Sequence, residues 1–133
     1  MAINSMTYNK AVLYAPEEYW CLTQVQREEM TNGCGTRGLI GLLVPDTIYG
    51  LDVSEACRIH DFQYAVGSTP EEKDSADRAF INNLLRIIDA NTKWKWLRKL
   101  RAERARTYYH AVCNFGGPAF WDGKNRPEEM GSV

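Results

Sequence analysis

The chain lacks any run near the ~20 consecutive apolar residues a bilayer-spanning helix needs, which excludes a helical transmembrane protein. It has no internal repeat of useful length and no low-complexity tract. It also lacks a charge of one prevailing sign: 16 Lys and Arg stand against 17 Asp and Glu, a net of −1. Overall charge therefore gives no bias towards nucleic acid or acidic membranes. Residues 1–10 show no basic segment followed by an apolar one, so no classical secretory leader is expected there. Histidine is scarce, at two residues, and the neighbourhood of His60 lacks the His/Cys cluster that zinc prefers. The serines Ser5, Ser54, Ser68, Ser75 and Ser132 show no nucleophile-elbow context. Four cysteines (Cys21, Cys34, Cys57, Cys113) allow three complete pairings, among which sequence alone does not choose, and a reducing cytosol favours free thiols.

What is present is a 133-residue chain, 44% hydrophobic and 11% aromatic, which excludes global disorder and suits one domain with a real core. Residues 1–121 read as that domain and 122–133 as a polar C-terminal tail. Pro16-Glu17-Glu18 suits a first helical turn, and the helix it opens carries Trp20, Val25 and Met30 before Asn32-Gly33 stops it. Five glycines and Pro45 make 33–51 a long loop. Asp52-Val53-Ser54-Glu55 has the spacing of a capped helix start, with the helix running to about Val66 before Gly67. Thr69-Pro70-Glu71-Glu72 opens a third helix over about 70–90, in which Asp77, Phe80, Ile81, Leu84 and Ile88 recur at offsets of three and four. A fourth covers 93–113, and Gly116-Gly117-Pro118 breaks the pattern. Strands are few in this reading. The expected fold is all-α: a small helical domain with two antiparallel helices beside a glycine-rich loop.

The second helix concentrates the reactive side chains. His60 and Tyr64 are four apart and share a face, with Asp61 rotated by about 100° from His60. Asp77 lies on the apolar stripe of the third helix, where an unpaired charge costs several kcal/mol, so it needs a partner. In an antiparallel pair joined at Thr69-Pro70, positions 60 and 77 come level. Asp77 is then placed to bond one nitrogen of His60, leaving the other as a general base, with Tyr64 donating to the same carboxylate. A His-Asp dyad without a side-chain nucleophile suits activation of water. Asp61 and a glycine-rich loop of carbonyl oxygens suit a hard cation, calcium rather than zinc.

Cys57-Arg58-Ile59-His60-Asp61-Phe62-Gln63-Tyr64 resembles the C-x-x-H-D-x-x-Y signature of phospholipase A2. Cys34-Gly35-Thr36-Arg37-Gly38 resembles that family's C-G-x-G-G calcium loop, and Ala76-Asp77-Arg78-Ala79-Phe80-Ile81 its third-helix segment, notably in parvovirus capsid domains. The resemblance covers about 33–81. It implies His60 as base, Asp77 orienting the imidazolium, Tyr64 supporting Asp77, and the Gly35 N–H helping to hold the oxyanion. It further implies Asp61 and the carbonyls of Gly33, Gly35 and Arg37 as Ca²⁺ ligands, and a Cys34–Cys57 disulfide. Arg37 stands where the family has glycine, and 42–46 are extra, so a shifted register would bring in Gly38 instead. Cytoplasmic, virion-associated and non-classically released settings all accord with this reading.

The net charge hides a division. Residues 1–92 carry 7 Lys and Arg against 13 Asp and Glu, whereas 93–133 carry 9 against 4. Lys93 to Arg106 holds seven of the cations, interleaved with Trp94 and Trp96, a pattern suited to a phospholipid membrane surface. The alternatives are a solvated helix face, a catalytically weak phospholipase A2-like module for membrane or partner binding, and a nucleic-acid-binding helical protein using 93–106. No specific nucleic acid is expected. His110 reads as a packed or capped histidine.

Overall fold

A computed structural model describes residues 2–31 and 45–124, and it opens with strands. β1 (Ile3–Tyr8) and β2 (Ala11–Pro16) form an antiparallel hairpin around Asn9 and Lys10, both at positive φ, as a two-residue turn of the I′ kind requires. Ala11, Leu13 and Ala15 alternate into the core. A second small hairpin, β3 (Thr47–Ile48) and β4 (Leu51–Asp52), turns at Tyr49-Gly50, again both at positive φ. The expectation of an all-α fold is therefore wrong: the described residues form a mostly helical mixed domain with two small antiparallel sheets. The N-terminal hairpin escapes a helix-based reading because its turn lacks the glycine that usually marks such turns.

The single helix expected from Pro16 onwards is two. α1 (Glu17–Trp20) stops at Cys21, and α2 (Gln24–Thr31) starts afresh behind a reciprocal cap. There the Gln26 N–H donates to Thr23 Oγ1 at 3.1 Å and the Thr23 N–H to Gln26 Oε1 at 2.9 Å. α3 (Ser54–Val66) begins one residue later than Asp52 predicts, with Val53 at its cap position. Asp52 instead accepts from the Ser54 N–H at 2.8 Å, and Glu55 is drawn into the interior, accepting from the Tyr19 hydroxyl and pairing with Arg58 at 3.4 Å. α4 (Pro70–Asn91) starts as read, with the Glu72 N–H donating to Thr69 Oγ1 at 3.1 Å. α5 (Lys95–Phe115) and the short α6 (Gly117–Trp121) complete the described chain. Among the described residues no helix is long and apolar enough to cross a membrane.

α4 is the central element, packed against α3, α5 and β2. Its Phe80, Leu84, Ile87 and Ile88 meet Leu13, Ile59 and Val112 in one buried core. The hairpin is fixed to α4 by side-chain amides. The Tyr14 N–H donates to Asn83 Oδ1 at 3.0 Å while Asn83 Nδ2 donates back to the Tyr14 carbonyl at 2.9 Å. Two turns further on, Asn91 Nδ2 donates to the Asn9 carbonyl at 2.8 Å. Asn83 is thus fully buried yet satisfied, standing in for a third strand on the free edge of β2.

Candidate active site

α3 and α4 run antiparallel, so His60 and Asp77 meet where the two helices face each other. His60 Nε2 lies 2.7 Å from Asp77 Oδ1, and the Tyr64 hydroxyl donates to the same oxygen at 2.6 Å. The other carboxylate oxygen, Oδ2, accepts from Lys73 Nζ at 2.9 Å. Lys73 also donates to the Val112 carbonyl at 3.2 Å, which brings α5 to the same point. The imidazole is held between rings, with Tyr64 and Phe80 at centroid distances of 4.1 and 4.7 Å. Both members of the pair are buried, His60 at 1% exposure.

The electrostatics follow from this packing. Burial alone would raise the Asp77 pKa, but the hydrogen bonds from His60, Lys73 and Tyr64 and the neighbouring positive charge outweigh it and hold the carboxyl below its ordinary range. Burial lowers the His60 pKa, against the pull of Asp77 and helped by the Lys73 cation. Lys73 already neutralises Asp77, so a proton on His60 would leave a buried excess of positive charge. Burial, then the Asp77 carboxylate, push the Tyr64 phenol upwards and keep it a donor. A carboxylate only accepts, so Nε2 carries the imidazole proton and Nδ1 the lone pair.

Gly116, just past α5, is where this arrangement tolerates no side chain. A Cβ there would stand 2.4 Å from the Val112 carbonyl oxygen and 2.5 Å from the Tyr64 hydroxyl. Lys73, Val112 and Gly116 are the members the motif reading missed. For Lys73 the signal was present: it lies four residues before Asp77 on one helix face. A backbone carbonyl such as that of Val112 leaves no mark in sequence.

Of the expected cation ligands, Asp61 is half-buried on α3, at the residue after His60. Gly33, Gly35, Arg37 and Gly38 lie outside the described residues, as does Cys34. Calcium takes about six to eight oxygens, and among the described residues there is no group of three or more His, Cys, Asp or Glu placed to hold a metal. The described part of the chain thus fits such an ion only as the supplier of one carboxylate. Cys57 is disulfide-bonded, and Cys21 and Cys113 are free thiols, so its partner is not among the described cysteines. His110 is exposed beside Tyr109 rather than packed in the core.

No family model, curated protein or solved structure matches this chain.

Proposed function

We propose that the protein is a calcium-dependent hydrolase of phospholipase A2 type, cleaving a phospholipid acyl ester with water activated by His60. The observation that carries this reading is the 2.7 Å contact of His60 Nε2 with an Asp77 carboxylate that also accepts from Tyr64 and Lys73. With Nε2–H bound to Asp77, Nδ1 is left to take a proton from water as that water attacks the ester carbonyl. Asp77 then faces the imidazolium, and Tyr64 and Lys73 keep the carboxylate from turning away. The same Nδ1 proton goes to the departing alkoxide when the tetrahedral intermediate collapses. Among the described residues no serine, threonine or cysteine hydrogen-bonds to His60, which favours water over a side-chain nucleophile. Calcium, when bound, supplies positive charge to the developing oxyanion, with Asp61 as a carboxylate ligand.

A second reading has an observation of its own. At 1% exposure the His60 ring does not meet bulk water, which suits a module that keeps this pair for stability and binds lipid without turnover.

Fatty-acid release from phospholipid vesicles, with calcium and with chelator, separates the two. Calcium-dependent release is expected, and His60→Gln, which keeps a donor near the Nε2 position, is expected to reduce it by at least about a hundredfold. Release unchanged in the folded variant would remove His60 as the base. No release from the wild type would favour the binding module.

A further inference from the structure

The first turns of α5 are built against the usual rules of helix stability. A helix N-terminus carries a partial positive charge and gains from acids, yet α5 has none in its first turn and its cap residue, Trp94, makes no side-chain cap bond. Lys95 and Arg98 stand there instead, with Lys93 just before that turn and Lys99 just after it. Trp94 and Trp96 are 60% and 63% exposed and stack on each other at 6.4 Å, and Leu100 is exposed one turn after Trp96.

The cations of this segment divide by what they do. Arg98 donates to the Thr92 carbonyl at 2.8 Å, and Arg101 to Thr92 Oγ1 at 3.0 Å and the Tyr49 carbonyl at 2.8 Å. Arg104 donates to the Tyr49 hydroxyl at 3.0 Å. These three arginines fasten α5 to the chain before it and to the β3–β4 turn. Lys93, Lys95 and Lys99 are exposed and make no hydrogen bond or ion pair with the described residues. On a helix Lys95 and Lys99 form one row and Trp96 and Leu100 the adjacent row. The acids nearest in sequence are Glu103, one turn beyond Lys99, and Asp89, already shared with Arg98 at 3.6 Å.

We propose that Lys93, Trp94, Lys95, Trp96, Lys99 and Leu100 form a docking surface for an anionic phospholipid bilayer, separate from the His60 site. Charge complementarity names the occupant: three ammonium groups without a partner among the described residues, beside a positive helix end, favour a surface of phosphates and carboxylates. The apolar row narrows it, because indole rings settle at headgroup level and an exposed leucine gains only where hydrocarbon is within reach. The lysines' long stems let their charges reach the headgroups while the indoles enter. The surface lies about 24 Å along α5 from the Val112 carbonyl that Lys73 touches. It therefore anchors the protein at a distance from the Asp77 contact, and its working does not depend on the hydrolytic reading of His60.

Co-sedimentation with vesicles of non-hydrolysable ether lipids, in chelator, tests the surface without turnover. Vesicles with about a third phosphatidylserine are expected to bind the protein, and neutral phosphatidylcholine vesicles far less. Each lysine changed to glutamine should cost about fivefold in partitioning, so Lys95→Gln with Lys99→Gln should lose about 25-fold. Trp94→Ala with Trp96→Ala should weaken binding to both vesicle types and abolish the blue shift of tryptophan emission on mixing. All four positions are exposed, and circular dichroism checks that the variants keep their helix content. Binding indifferent to these changes would overturn the assignment. So would a mixed-sequence DNA duplex that binds in preference to the anionic vesicles.

Discussion

Lys73 is the residue whose removal separates the electrostatics of the site from its shape. It holds one oxygen of Asp77 and places a cation near His60, where it favours the neutral imidazole. The pKa of His60 is depressed in the fold, so the unfolded chain binds the proton more readily. The His60 contribution to stability is complete above about pH 6.5 and is lost as pH falls below that towards the folded value. Asp77, also depressed, contributes above about pH 3.9 and loses its share as pH falls further. Both therefore act in the same direction, and urea midpoints should decline stepwise on acidification. In Lys73→Met the His60 pKa should rise, the upper step should shrink, and stability near neutrality should fall by about 2–3 kcal/mol, because a buried carboxylate loses a charged donor. Imidazole proton resonances, of which the chain has only two sets, give the titration directly. A His60 resonance that titrates identically in variant and wild type would sink this account. His60, Tyr64 and Asp77 were legible in sequence because helical period and an antiparallel turn fix which side chains face one another. Lys73 was not read because a lysine four residues from an aspartate usually marks a solvated surface pair.

At the scale of elements, the legible features were those with local chemistry of their own. Thr69-Pro70-Glu71-Glu72 announces α4 because the cap bond forms within four residues. The Thr23–Gln26 cap was equally local, but Trp20, Val25 and Met30 suggested a helix running across it. The N-terminal hairpin depends on something non-local, the amide of Asn83 sixty-nine residues away from Tyr14. That amide closes an open strand edge, and nothing near Tyr14 in sequence hints at it. Asn83→Ala should therefore cost about 1–3 kcal/mol, since the Tyr14 N–H and carbonyl would both lose their partner at a part-buried edge. Hydrogen exchange should locate the loss, with the Tyr14 amide exposed first. An unchanged Tyr14 exchange rate in the variant would mean that the hairpin closes on α4 by apolar contact alone.

For the whole molecule, the near-zero net charge conceals a division of charge along the chain. The acidic part carries the buried pair, and the basic part begins where α5 begins. Cys57, near the start of α3, is disulfide-bonded. Non-reducing peptide mapping is expected to recover Cys57 cross-linked and Cys21 and Cys113 alkylated, and reduction is expected to cost about 2–5 kcal/mol. Recovery of Cys57 as a free thiol from the native protein would refute this. The expectation of a cation-binding loop rested on motif and composition alone, and its ligands Gly33, Gly35 and Arg37 lie outside the described residues.

Asp77 joins α3 through His60 and Tyr64, belongs to α4, and reaches α5 through Lys73. One carboxylate is thereby a rivet through three helices as well as the partner that the proposed chemistry requires of His60. Natural variation or a mutational library scored only by yield of folded protein will register position 77 as structural, and, under the proposed function, one scored only by turnover will register it as catalytic. His60 is the position at which the two scores part, because a neutral side chain that still donates to the carboxylate leaves the rivet in place.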